Sequence, residues 1–273
     1  MNDMDFDRVA AAWSRWWPIF ERGARTASAR MVDLARVAPG ERVLDLGTGL
    51  GEPALALAKQ VGPEGRVVAV DVSPAMLRLA RERARHEGVA NVEFVESDAG
   101  AYATNEPFDA IVSRWGLMFL ADVRASLVHY RTQLRPGRRF VAAVWGAPPE
   151  VPMISLPILV AMQQFGHVPG PVKGGPFALH DTDALGLLFD EAGYCDVEIQ
   201  DIRLTFPFAS PSEYYEYIFD VAPPLRNLHE QLDVAQRGRL RQAVEKTLEE
   251  RFSVEDEIRI PNRAMTVCAV NPA

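Results

Sequence analysis

The amino-acid sequence predicts an α/β fold built on a doubly wound, mostly parallel sheet. Three observations lead there. Short apolar segments alternate with helical ones from residue 42 to residue 146, the rhythm of right-handed crossovers. One of those segments, "FDAIVSRW" (108–115), is apolar nearly throughout, as suits a strand covered on both faces. A glycine-rich turn, "GTGLG" (47–51), directly follows the first strand, and the loops at the carboxyl ends of such strands are where open parallel sheets hold ligands. The predicted organisation is a helical cap over residues 1–37, a core over 38–146, an inserted lid over 147–180, and a C-terminal segment over 181–273 that completes the sheet and adds cap helices.

Each element follows from local chemistry. Residues 7–37 read as helical, with Trp13, Trp16 and Trp17 near the start. "RVLDL" (42–46) is the first strand. "EPALALAKQV" is a short helix with Pro53 near its first turn, where the missing amide costs nothing. "RVVAVD" (66–71) is the second strand. In the next helix Ser73 can cap, Pro74 suits the first helical position, and Gly88 can end the run. "NVEFVESD", "FDAIVSRW" and "RRFVAAVWG" are the third to fifth strands, with a helix from Asp122 to Leu134 and an "RPG" turn between the last two. Past residue 146 the rhythm breaks. The stretch to Asp181 is rich in proline, glycine and apolar residues and is long for a connection, hence the lid. "DTDALGLLFDEAG", "SPSEYYEYIFDVA" and Leu228–Arg251 read as helices, and "DVEIQDIRLTFPF" and "NRAMTVCAV" as strands.

Composition narrows the function. The 273 residues are 48% hydrophobic and 24% charged, which is ordinary for a globular protein. The net charge of −8 argues against general affinity for nucleic acid. The early arginines, Arg8 to Arg36, are interleaved with acids and read as a solvated helical face. Cys195 and Cys268 are far apart and lack metal-ligand spacing; no metal is expected, and a reducing, cytoplasmic setting is. The start, "MNDMDFDRVAAAW", lacks the basic opening and apolar core of a secretory signal. The longest uncharged stretch, 151–172, is broken by four prolines, so no membrane span is expected.

The glycine turn selects among cofactors. In a dinucleotide fingerprint the third glycine lies five positions after the first. Here that position is Glu52, and Gly47, Gly49 and Gly51 alternate instead. A pyrophosphate on this turn would meet Asp45 and Glu52 at close range, two like-sign contacts that cost affinity. S-adenosylmethionine, with an ammonium and a sulfonium, has the opposite preference. Asp71 at the end of the second strand can accept from both ribose hydroxyls, Met76 in the next helix can pack on adenine, and Asp98 after the third strand can accept from the adenine amino group.

The run from "RVLDLGTGLGEPALALA" through "VVAVDVSPAMLRLARERA", "VEFVESDA" and "FDAIVSRWGLMFL" to "LRPGRRFVAAVW" resembles a class I S-adenosylmethionine-dependent methyltransferase. Within that superfamily it is similar to the ubiquinone/menaquinone biosynthesis C-methyltransferase-like group, over roughly residues 40–146. The resemblance implies a seven-stranded sheet whose last antiparallel hairpin comes from the C-terminal segment. It places the methionine part among Asp45, Gly47, Thr48, Gly49 and Gly51, the ribose at Asp71 beside Val72, the adenine at Asp98 and Ala99 with Met76, and the methionine end near Ser113 and Arg114. S-adenosylhomocysteine is the implied product. One departure is that many relatives carry a histidine after the fourth strand, where this chain has "SRWGLMFL". The mark of amino-group methylation on DNA bases or glutamine, an Asp or Asn followed by "PP" and an aromatic, is also absent.

A small-molecule acceptor is therefore expected. Trp13, Trp16, Trp115 and Met118 are its candidate contacts, and the apolar lid suits either a hydrophobic acceptor or a homodimer contact. An acceptor that must ionise needs a base, or a pKa low enough to ionise unaided. Of the five histidines only His167 and His180 flank the lid, and a residue without a chemical role is the favoured reading of both. Two other readings stand beside methyl transfer. One is a protein of the same fold that binds S-adenosylmethionine without transferring its methyl, such as a cyclase or binding module. The other is an NAD-type oxidoreductase, which the glycine spacing disfavours.

Overall fold

The structure, a computed structural model, describes residues 6–166 and 175–273. His167 lies outside the described residues. The chain forms two compact units, each built from several stretches of sequence.

The larger unit takes the described parts of residues 26–146, 173–202 and 264–273. Its parallel strands are β1 (Arg42–Leu46), β2 (Arg66–Asp71), β3 (Val92–Glu96), β4 (Phe108–Arg114) and β5 (Leu134–Trp145). β6 (Cys195–Phe208) and β8 (Glu257–Val270) complete the path β3-β2-β1-β4-β5-β8-β6, with β8 antiparallel to β5. The two-residue β7 (Ser253–Val254) pairs with β8 off this path. The seven-stranded, mostly parallel sheet expected from the sequence is thus present, with β7 as an addition.

The order reverses between β1 and β4. The chain winds outward through β2 and β3 in one direction, returns, and winds outward through β5 in the other. The carboxyl ends of β1 and β4 therefore flank the switch point, where neighbouring connections leave in opposite directions and open a crevice.

Alternation along the strands sends side chains to both faces. On one face Val43, Val67, Ala110, Val112, Val141 and Ala143 pack with Met31, Leu34 and Ala35 of α1 (Ala10–Ala35) and with Ala54, Leu57, Ala58 and Val61 of α2 (Ala54–Val61). Phe140, one residue out of that register on β5, meets Phe189 and Tyr194 edge-on at 5.5 and 5.9 Å. Phe189 belongs to α6 (Thr182–Glu191), which with α3 (Pro74–His86) and α4 (Val123–Gln133) completes the helices of this unit. Every residue of β4 is buried, as its apolar run predicts. The Ser73 hydroxyl caps α3 by accepting the Met76 amide, with Pro74 at the first helical position.

The smaller unit takes the described parts of residues 1–25, 147–172 and 203–263. It contains α5 (Pro152–Phe165), α7 (Pro211–Val221), α8 (Pro223–Gln231) and α9 (Val234–Phe252). The stretch expected to form an inserted lid contains a fourteen-residue helix, α5. Pro152 is harmless at its first position, and burial of Leu156, Pro157, Val160 and Ala161 outweighs the interior proline. The helical run 228–251 is broken at Asp233, whose carboxylate accepts the Gln236 amide while the Gln236 side chain accepts the Asp233 amide, a capping box. Aromatic rings fill this unit: Trp13 meets Phe20 edge-on at 4.9 Å, Trp16 meets Tyr217 at 6.0 Å, and Phe208 meets Tyr214 at 5.3 Å. Among the described residues no helix is long and apolar enough to cross a membrane.

Candidate cofactor site at the switch point

The glycine turn leaves β1 in a conformation that few side chains tolerate. Gly47, Gly49 and Gly51 have φ of 69°, 54° and 95°, where an L-residue pays roughly 1–2 kcal/mol. The reason for glycine differs by position. A Cβ on Gly47 would lie 3.1 Å from the Gly116 Cα, whereas one on Gly49 would meet no protein atom within 4 Å. Gly49 thus faces open space, and a ligand can approach its bare backbone.

Asp71, the last residue of β2, clamps this turn. Its Oδ2 accepts the Gly49 amide at 2.8 Å and its Oδ1 accepts the Ser73 amide at 2.9 Å. The Gly47 and Thr48 amides both donate to the Val70 carbonyl, which binds the turn to β2 a second time.

Asp45 is fully buried. Its Oδ2 accepts the Thr48 hydroxyl at 2.7 Å. Its Oδ1 accepts no hydrogen bond of full geometry, and the Ala54 amide gives only partial support. Burial, the dominant cause, pushes the carboxyl up to about 7. Thr48, the Arg114 charge and the Ala54 amide oppose it, and Glu52 adds to it.

β4 supplies the other wall. The Ser113 hydroxyl donates to the Leu46 carbonyl at 2.9 Å. The Arg114 guanidinium is buried and donates to the Ser28 hydroxyl on α1 at 2.5 Å. Trp115 has φ 56°, rare for so large a residue. Its amide donates to the Ala143 carbonyl, and its indole stacks on Trp145 with centroids 4.4 Å apart and planes 6° apart. Gly116 follows because nothing larger fits: a Cβ there would lie 2.6 Å from the Leu46 carbonyl oxygen. Met118 is fully buried in the tight turn 117–119.

Beyond β3, Asp98 is exposed and its Oδ1 accepts the Gly100 amide at 2.7 Å. The Ala99 carbonyl is fixed by the Tyr130 hydroxyl at 2.7 Å. Val72 stands 65% exposed while Met76 is turned into the packing of α3. Val72 is thus the free apolar surface beside Asp71.

Hydrogen bonds and charge therefore bring together Asp45, Gly47, Thr48, Gly49, Asp71, Ser113 and Arg114. Trp13 and Trp16 lie in the smaller unit, where the Trp16 Nε1–H donates to Asp220 at 2.9 Å. His180 is exposed, with Nδ1 2.7 Å from the Phe177 carbonyl. Sequence reasoning missed Ser28, Gly116, Tyr130 and Trp145. Only Gly116 carried a local signal, as a glycine just past a strand.

The residues fit a cationic cofactor. The Asp71 carboxylate on the Gly49 amide and Glu52 in the turn disfavour a pyrophosphate on this backbone. The comparisons agree. Residues 38–156 match a family model described as a methyltransferase domain. The ubiquinone/menaquinone biosynthesis C-methyltransferase UbiE of Coxiella burnetii is 30% identical over 153 residues, 55% of this chain and 57% of that protein. The match thus spans little more than half the length of that relative. Phosphoethanolamine N-methyltransferase 2 of Haemonchus contortus, solved with S-adenosyl-L-methionine, shares the fold with a TM-score of 0.61 at 19% identity, over 99% of this chain and 59% of that one. The [4+2]-cyclase SpnF shares it at 0.55 and 16% identity, over 98% and 96%. Over residues 38–156, then, the chain matches the family of methyltransferase domains.

Proposed function

We propose that the chain transfers the methyl group of S-adenosylmethionine to a small acceptor with a hydrophobic or aromatic reacting part. The observation that carries this reading is the pair of carboxylates, Asp45 and Asp71, on either side of an open glycine turn at the switch point. Asp71 would hold the ribose, Asp98 and Ala99 the adenine with Val72 against its face, and the turn with Asp45 the methionine part. When bound, the cofactor supplies an electrophilic methyl on a positive sulfur. The chain's part is to hold the acceptor in line and exclude water. Trp115, at the carboxyl end of β4, is the residue we assign to the acceptor. The relative from Coxiella burnetii is a C-methyltransferase of ubiquinone/menaquinone biosynthesis, which supports a ring of the quinol type as acceptor. Ionising such a ring takes a base or an unusually acidic ring hydroxyl, and no residue is assigned as the base.

The test has two stages. Calorimetric titration with S-adenosylhomocysteine should show one site per chain; no binding would remove the cofactor assignment. Incubation of S-adenosylmethionine with a panel of quinols and phenols should then yield a product one methyl heavier together with S-adenosylhomocysteine. Tight binding with no methylated product would place the chain with non-methylating relatives of this fold.

A further inference from the structure

We infer that Asp45 holds a proton and the cofactor's α-ammonium in competition, so that the cofactor binds with release of a proton. This rests on the cofactor proposed for the switch-point site. Asp45 sits at the carboxyl end of β1, fully buried, between Ala69 of β2 and Val112 of β4, neither of which can donate or carry charge from its side chain. One oxygen accepts the Thr48 hydroxyl, and the other accepts no hydrogen bond of full geometry. Among the described residues, two charged groups act on it. Arg114 of β4 favours the anion, but its guanidinium also serves the Ser28 hydroxyl of α1. Glu52 of the turn opposes the anion. Asp71 of β2 is committed to the amides of Gly49 and Ser73, and α2 offers only the Ala54 amide.

Such a carboxyl is cheaper neutral than charged, because burial removes water and little replaces it. Burial pushes it up to about 7. An ammonium brought against it reverses the balance. The O–H bond breaks, the electron pair stays on the carboxylate, and the proton passes to the buffer. The ammonium keeps its own protons, and charge is conserved.

The probe is S-adenosylhomocysteine, which carries the ammonium without the sulfonium. Its binding heat is measured at pH 6, 7 and 8 in pairs of buffers with different ionisation enthalpies, which counts protons exchanged. About half a proton should be released near pH 7, close to one at pH 6 and few at pH 8, and Kd should rise towards tenfold per unit as the pH falls below 7. Asp45→Asn should abolish the release. If that variant does not fold, Thr48→Ala, which removes the hydroxyl donor, should move the midpoint of release to higher pH. Equal heats in both buffers at pH 6 and 7 with normal binding would overturn the inference alone. Release that persists in Asp45→Asn, or a midpoint unmoved in Thr48→Ala, would overturn it too. Absence of binding at every pH would overturn the cofactor reading with it.

Discussion

Asp71 Oδ2 lies 2.8 Å from the Gly49 amide nitrogen, across 22 residues of sequence. With Oδ1 on the Ser73 amide, one carboxylate fixes the glycine turn and the start of α3 together. The sequence alone assigns Asp71 to the ribose, and the two amides add a structural role. Asp71→Ala should weaken S-adenosylhomocysteine binding by about 1.5–3 kcal/mol and also lower stability by about 1–3 kcal/mol, because both amides lose their acceptor. Calorimetry and urea denaturation read the two effects. Unchanged stability would show that the clamp is dispensable.

Two glycines should respond in opposite ways. Gly49→Val meets no protein atom at Cβ, so its cost is the strain of φ 54°, about 1–2 kcal/mol, and the protein should fold. Its side chain would then fill the space over the turn, and cofactor binding should be lost. Gly116→Ala places a Cβ 2.6 Å from the Leu46 carbonyl oxygen. It should destabilise more than Gly49→Val, because backbone on both sides must move. Thermal melts of the pair, compared with their cofactor titrations, check the order.

Asp45 gives the unliganded protein an unusual pH dependence. Its folded value, about 7, lies above the ordinary 3.8. The folded chain therefore binds this proton more tightly than the unfolded chain. The contribution is fully present below about pH 4 and is lost as the pH rises through 7. Asp45→Asn should flatten that slope and be the more stable form at pH 8, by up to about 4 kcal/mol, since each pH unit between the folded and unfolded values is worth about 1.36 kcal/mol. Urea denaturation of both proteins at pH 5, 6.5 and 8 measures it. Parallel slopes would refute the raised value.

The cap tryptophans need different substitutions. Trp16 is buried, packs on Tyr217 and donates to Asp220. Trp16→Ala should cost about 3–5 kcal/mol of stability, whatever its role in turnover. Trp13 keeps its ring against Phe20, but its Nε1–H is buried with no hydrogen-bond partner among the described residues. Trp13→Phe preserves most of the packing and deletes that donor, so stability should hold or rise slightly. If Trp13 serves the acceptor, methyl transfer falls while S-adenosylhomocysteine affinity stays. Equal turnover in variant and wild type would assign Trp13 to packing.

The sequence by itself determined the sheet and the turn. β1 and β2 fall on the residues predicted, 42–46 and 66–71, because β-branched and apolar runs between turn residues state their conformation locally. Gly47, Gly49 and Gly51 marked in the sequence a turn of bare backbone, and all three have positive φ. What the tertiary structure decided are relations between residues far apart in the chain. Residues 86 apart join Ser28 to Arg114, and 31 apart join Ala99 to Tyr130. No local pattern encodes such pairs, since each depends on where two separate elements pack. The protonation of Asp45 belongs with them. Its side chain is an ordinary acid in the sequence, and only the strands, turn and helix that close over it remove the water that would keep it charged.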